Sequence, residues 1–190
     1  MKTTKFSFAY NGTSCHGEGD FFTEEDLPIL NNYYFQWKDI NEINLTYNVR
    51  RANIPELLTE GICSALWGWA RTNAKQIKGL SSSSCDLIDI KAGKTIQVKA
   101  CSSLREDDKV GPSSFGPDSH WDCLIFIHID CSNDIAFFYD LSNEDYLNWK
   151  VSKKETFQEQ ANAGKRPRLN LLDLVKEKEY KPFYIYYFEK

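Results

Sequence analysis

The apolar positions along this chain change period several times, and each change marks a predicted element. Over residues 53–73, NIPELLTEGICSALWGWARTN, Leu57, Leu58, Ile62, Leu66 and Trp69 recur at intervals of one helical turn. Asn53 is placed to cap this helix, and Pro55 falls in its first turn, where a missing N–H is tolerated. From 85 to 101, CDLIDIKAGKTIQVKAC, the period drops to two, which predicts a β-hairpin turning at Lys91–Lys94 around Gly93. WDCLIFIHI and IAFFYDL, separated by DCSND, predict a second hairpin. SNEDYLNWK and SKKETFQEQANAG read as helices, with Gly164 as the C-cap of the second, and FYIYYF near the end reads as a strand. SSSS at 81–84 is a loop. GPSSFGP at 111–117 is expected to lie outside regular structure, because two glycines and two prolines bracket it. The first fifty residues are aromatic-rich and irregular in pattern. Within them NNYYFQWKDI is the ordered piece, helix or strand being open.

Helix, hairpin, hairpin, helix and strand in that order predict an α/β fold, a central mixed β-sheet flanked by helices. The 190 residues suffice for one core and give no reason to split the chain. Within a single domain, 1–50 forms an aromatic and acidic N-terminal region, 51–145 the core, and 146–190 a C-terminal region.

Composition narrows the class. With 42% hydrophobic residues the chain is globular, no run is long enough to span a membrane, and MKTTKFSFAY lacks the apolar stretch of a secretory signal, so a cytoplasmic protein is expected. The six cysteines stand apart with no Cys-x-x-Cys and are read as small buried hydrophobes. Cys123, His128 and Cys131 lie in an apolar strand without a second ligand pair, which speaks against zinc. His16, His120 and His128 have no nucleophile partner in pattern, and AGKT lacks the earlier glycine of a P-loop. The net charge of −4 is unevenly spread: residues 18–42 hold seven acids and one lysine, whereas GKRPR at 164–168 holds three cations.

Strand alternation singles out the first hairpin. Thr95, Gln97 and Lys99 share one face of its second strand, with Ile96, Val98 and Ala100 on the other, and the turn can bring Asp86 beside Gln97 and Lys99. Carboxylate and amide oxygens suit a hard cation such as Mg²⁺, and a lysine beside it can orient water and stabilise charge on a phosphate. Glu56 and Glu60, one turn apart on the preceding helix, offer a further carboxylate. Each also has a structural account: Asp86 as a strand end, Lys99 as an edge residue, Glu56 as an acid favoured at a helix N-terminus.

Taken together, NIPELLTE, CDLID…IQVKAC, GPSSFGP…WD and QANAGKRPRLN resemble, in that order, the PD-(D/E)xK nuclease superfamily. The likeness is to small type II restriction endonucleases with a D…QxK variant motif, over roughly residues 50–170. The resemblance implies a restriction-endonuclease-like core, with Asp86 as metal-binding aspartate, Gln97 in place of the second acid, Lys99 as catalytic lysine and Glu56 or Glu60 as the helix carboxylate. Cys85 stands where the family has proline, and the neutral Gln97 removes one negative charge from the site. The resemblance further implies Mg²⁺-dependent cleavage of double-stranded DNA, leaving 5′-phosphate ends, by a homodimer whose host DNA a cognate methyltransferase protects. Lys165, Arg166, Arg168, Gln158 and Gln160 are expected to contact DNA, whether bases or phosphates, and Ser113 or Ser114 a phosphate. A structure-specific repair nuclease and a non-cleaving DNA-binding module are the alternatives.

Overall fold

The computed structural model describes residues 1–190 apart from 73, 82, 83, 106, 107, 109, 117–119 and 153. Asn73 of the expected helix, Ser82 and Ser83 of the serine loop, Pro117 and Lys153 therefore lie outside the described residues.

Among the described residues, ten strands and five α-helices follow one another. They are β1 (Lys2–Tyr10), β2 (Thr13–Phe21), α1 (Leu27–Thr46), α2 (Glu56–Trp67), β3 (Ala70–Arg71), β4 (Leu87–Asp89), β5 (Lys94–Ser103), β6 (Ser113–Ser114), β7 (Cys123–Asp130), β8 (Ile135–Leu141), α3 (Asn143–Leu147), α4 (Phe157–Asn162), β9 (Arg168–Leu169), α5 (Leu171–Glu177) and β10 (Tyr184–Tyr187). Eight strands form a mixed central sheet in the order β1-β2-β3-β4-β5-β7-β8-β10, while β6 and β9 pair separately. Neighbours in the large sheet are antiparallel except β5 and β7, which run parallel from Ile96 beside Cys123 to Ser103 beside Asp130.

Helices cover both faces, so β7 is apolar on both sides. Its Ile125, Ile127 and Ile129 pack with Leu30, Tyr34 and Trp37 of α1 and Leu58 and Ile62 of α2. Its Leu124 and Phe126 pack on the opposite face with Tyr146, Phe157, Leu172 and Val175 from α3, α4 and α5. Gly61 sets how closely α1 and α2 meet, because a Cβ there would stand 3.1 Å from the Leu30 side chain. A third small cluster under the first hairpin joins Phe8, Tyr10 and Cys15 to Cys85 and Ile88.

The predicted hairpins, the helix over α2 and the last strand are present. Five expectations change. Residues 1–50, read as irregular apart from NNYYFQWKDI, form β1 and β2 at one edge of the central sheet and the 20-residue α1, which contains that piece. Asn53 does not cap α2: Pro55 occupies that position at φ −65° and ψ 129°, and the Asn53 carbonyl instead accepts from the Trp37 indole (2.9 Å). Proline disfavours helical geometry in the residue before it, so the helix cannot start earlier. Nor does α2 reach Trp69, since Gly68 adopts φ +69° and closes the helix with its N–H on the Ser64 carbonyl. GPSSFGP is not wholly irregular, because Ser113 and Ser114 pair with Leu169 and Arg168. Finally, at the end of α4, Ala163 is the C-cap, and Gly164 follows it at φ +69°.

Five of the six cysteines are buried and Cys123 is half-buried, all as free thiols. No helix among the described residues is long and apolar enough to cross a membrane.

Candidate active site

The β4–β5 hairpin turns through Ile90–Gly93, with Gly93 at φ +64°, and a Cβ there would lie 2.3 Å from the Ala9 carbonyl oxygen of β1. Only glycine meets both conditions. The turn register places Leu87 opposite Ile96 and Ile88 opposite Thr95. At the same end of β5, Asp122 accepts from the backbone N–H (2.7 Å) and hydroxyl (2.8 Å) of Thr95, tying the start of β5 to the entry of β7.

One residue before β4, the Asp86 N–H donates to the Ile96 carbonyl (2.9 Å), which turns its carboxylate toward β5. There Oδ2 accepts from the Val98 N–H (2.8 Å) and from Gln97 Nε2. Gln97 is buried and Lys99 half-buried, and the two lie on one face of β5, while Ile96 and Val98 enter the core beneath α2. Burial raises the Asp86 carboxyl above its ordinary range; the Val98 N–H and the Lys99 charge oppose that rise, and Glu56 adds to it.

Helix α2 delivers the second carboxylate. Glu60 is buried, at 7% exposure, whereas Glu56 one turn earlier is exposed. Burial pushes Glu60 up to about 7, with the nearby Asp86 charge acting in the same direction and Arg71 against it. Arg71 of β3 donates from Nε to Glu60 Oε2 (2.6 Å) and stands 3.8 Å from Asp20 of β2. Glu56, Glu60 and Asp86 line two adjoining cavities of about 500 and 550 Å³. Into the first open Asp20 and Arg71; the second is bordered by Lys99 and Arg50.

The structure thus brings together Asp86, Gln97, Lys99, Glu60 and Glu56. It adds Arg71 and Asp20, which the sequence reading missed. Arg71 was assigned to a continuing helix, and only the turn at Gly68 releases it into β3 opposite Asp20.

The oxygen-rich set suits a hard divalent ion. Burial raises both the Asp86 and Glu60 carboxyls, neighbouring acids add to the rise, and Arg71 and Lys99 act against it. Asp86 Oδ2 already accepts two hydrogen bonds, which leaves Oδ1, a Glu60 oxygen and the Gln97 amide oxygen as donors.

The cationic segment lies on α4 and the turn that follows it. Lys165 pairs with Glu155 (2.5 Å), Gln160 donates to the same carboxylate (3.0 Å), and Gln158 donates to Asn162 (2.7 Å). Arg166 and Arg168 are exposed, and Pro167 between them is buried. Ser113 and Ser114 lie alongside in the β6–β9 ladder, so two segments singled out separately in the sequence are neighbours in space.

A family model described as Bsp6I restriction endonuclease matches residues 22–178, starting directly after β2. The type II restriction enzyme Bsp6I of Bacillus sp. (strain RFL6) is 26% identical over 146 residues, covering 76% of this chain and 77% of that enzyme. No solved structure matches the chain.

Proposed function

The chain belongs to the Bsp6I restriction endonuclease family and is a type II site-specific deoxyribonuclease; on that premise we propose that it cleaves double-stranded DNA at the Asp86–Gln97–Lys99 hairpin as a Mg²⁺-dependent PD-(D/E)xK enzyme. In this reading the second acid is glutamine, the products carry 5′-phosphate and 3′-hydroxyl ends, and all 190 residues serve one nuclease domain. The observation that carries the reading is the meeting of Asp86, Gln97, Lys99 and Glu60 beside two cavities that share the same carboxylates.

Asp86, Glu60 and the Gln97 amide oxygen would hold the cation, with Glu56 the exposed alternative to Glu60. A bound Mg²⁺ would neutralise charge on the scissile phosphate and lower the pKa of a coordinated water. Val98 N–H fixes one oxygen of Asp86, so the other keeps a defined direction. Lys99 contributes a cation next to that carboxylate, where negative charge grows on the phosphate oxygens in the transition state. Arg71 restrains Glu60 from the side away from β5, which keeps the helix carboxylate aimed at the same space.

Arg166 and Arg168 are the proposed DNA contacts, because their side chains are exposed and carry no partner among the described residues. Lys165 and Gln160 would first have to leave Glu155, and Gln158 would have to leave Asn162. Ser113 and Ser114 are placed to bond a backbone phosphate beside them. One such site cuts one strand, so cleavage of both strands assigns two copies of the chain to one two-fold DNA target. A cognate methyltransferase would protect host DNA in the same cytoplasm without binding this chain.

Plasmid digestion with Mg²⁺, followed by sequencing of the fragment ends, tests the proposal. Discrete fragments sharing one short sequence and 5′-phosphates are expected. Cleavage confined to branched or mismatched DNA, or undiminished cutting in the presence of EDTA, would overturn it.

A further inference from the structure

Phe115 sits at 2% exposure between the catalytic hairpin and the arginine-bearing turn. On one side, the ammonium of Lys99 lies over its ring, 5.7 Å from the centroid. On the other, its backbone N–H donates to the Pro167 carbonyl (3.1 Å), between Arg166 and Arg168. The two residues before it, Ser113 and Ser114, pair with Leu169 and Arg168. Its ring also meets Phe157, the first residue of α4, edge to face at 5.1 Å, and Trp121 at 5.9 Å. Phe115 therefore contacts both ends of the segment from Phe157 to Leu169 that carries the proposed DNA contacts, and in the same place touches Lys99.

We propose that Phe115 is a positioning residue through which the seating of the 165–168 turn on DNA governs where the Lys99 ammonium stands. A cation within about 6 Å of an aromatic centroid is attracted by the ring quadrupole, more so when shielded from water. The ring is close-packed against Phe157 of the same segment, so a shift of that segment carries the ring with it. The backbone bond to Pro167 and the β6–β9 ladder transmit that shift without any side chain of the turn reaching the active site. A base pair that Arg166 or Arg168 cannot accommodate would leave Lys99 off position, so discrimination would appear in the cleavage rate as well as in affinity.

This proposal rests on the reading of Lys99 as the catalytic lysine, and its test separates the two. Phe115→Leu and Phe115→Met keep apolar volume and remove the ring face, and Phe115→Tyr restores a ring. Each is measured beside Lys99→Ala for affinity in the absence of metal and for single-turnover cleavage, on the mapped target and on targets with one base pair changed. Expected for Phe115→Leu or Phe115→Met is an unchanged affinity and cleavage slower by about tenfold, the scale of one shielded cation–π contact. The loss should be larger on the mapped target than on altered ones, and Phe115→Tyr should return most of the rate. A wild-type rate in Phe115→Leu while Lys99→Ala is inactive overturns the coupling alone; active Lys99→Ala overturns the site assignment beneath it. Equal losses on every target would reduce Phe115 to a packing residue. Should these variants not fold, the side-chain methylene resonance of Lys99 in the wild-type protein decides. It should move on adding the mapped target and not on unrelated duplex, and a resonance indifferent to both overturns the coupling.

Discussion

Asp86 is fixed by a backbone N–H, a buried amide and the register of two paired strands, whereas Arg166 and Arg168 stand exposed on a turn, with no partner among the described residues for their side chains. The first region is ordered before any substrate arrives. The second keeps its guanidinium groups available, and only its backbone is anchored, through Pro167 and the β6–β9 ladder. Chemistry on a phosphate needs donors already in place, because their reorganisation would add to the barrier. Reading DNA needs side chains that can exchange water for bases or phosphates. The contrast in burial is what the proposed division, chemistry at the hairpin and DNA contact at the turn, requires.

The largest way to break this contrast is at the hairpin. Asp86→Ala and Lys99→Ala are each expected to lower cleavage by roughly a thousandfold or more while sparing DNA affinity, the scale on which loss of one preorganised electrostatic group is felt. Single-turnover kinetics with a gel-shift control measure both halves. Gly93→Ala attacks the same region through its backbone: the new Cβ would meet the Ala9 carbonyl at a positive φ. A loss of about 1–3 kcal/mol in urea unfolding is expected from the strain, while a neutral result would show that β1 can move aside. At the turn, Arg166→Ala or Arg168→Ala should weaken binding by about 1–3 kcal/mol where a base is read, or lower the salt slope by about one where a phosphate is met. Titrating affinity against salt on target and unrelated duplex distinguishes these outcomes, and no change in either variant would remove the turn from the interface.

The smallest effect sharpens the comparison most. Gln97→Glu replaces the amide that donates to Asp86 with a second carboxylate. Without metal the two like charges repel, so the variant should melt below wild type, and Mg²⁺ should raise its melting temperature more than it raises that of the wild type. Thermal unfolding with and without Mg²⁺ reads this independently of cleavage; equal responses would place the cation away from position 97.

How much of this was legible depended on how local the signal was. The Asp86–Lys99 hairpin is read from adjacent residues, since alternation and the turn at Gly93 fix which side chains share a face. Helix α1 was not legible, because apolar residues surround it: Leu30, Tyr34 and Trp37 face the core, while Ile29, Tyr33, Ile40 and Ile43 are exposed. A helix apolar on two faces has no single stripe for periodicity to detect. The β1–β2 hairpin did carry a signal, since Phe6, Phe8 and Tyr10 alternate before Asn11-Gly12, both at positive φ, the two-residue turn that favours hairpins. The glycines of β2 hid its second strand. The roles of Arg71 and Phe115 were not accessible from the chain at all, since each depends on a partner brought close only by folding: Glu60 across the α2–β3 corner, and Lys99 across the sheet face.

The parallel pairing of β5 and β7 has one more consequence. Chain leaving β5 at Ser103 must travel back the full length of the paired stretch before it can enter β7 beside Ile96, a distance of about 23 Å over seven residue steps. Phe115 belongs to the connection between the two strands, and there it meets Lys99. The parallel winding of the sheet thus obliges the chain to make a long crossover, and that crossover is what supplies the ring beneath the Lys99 ammonium.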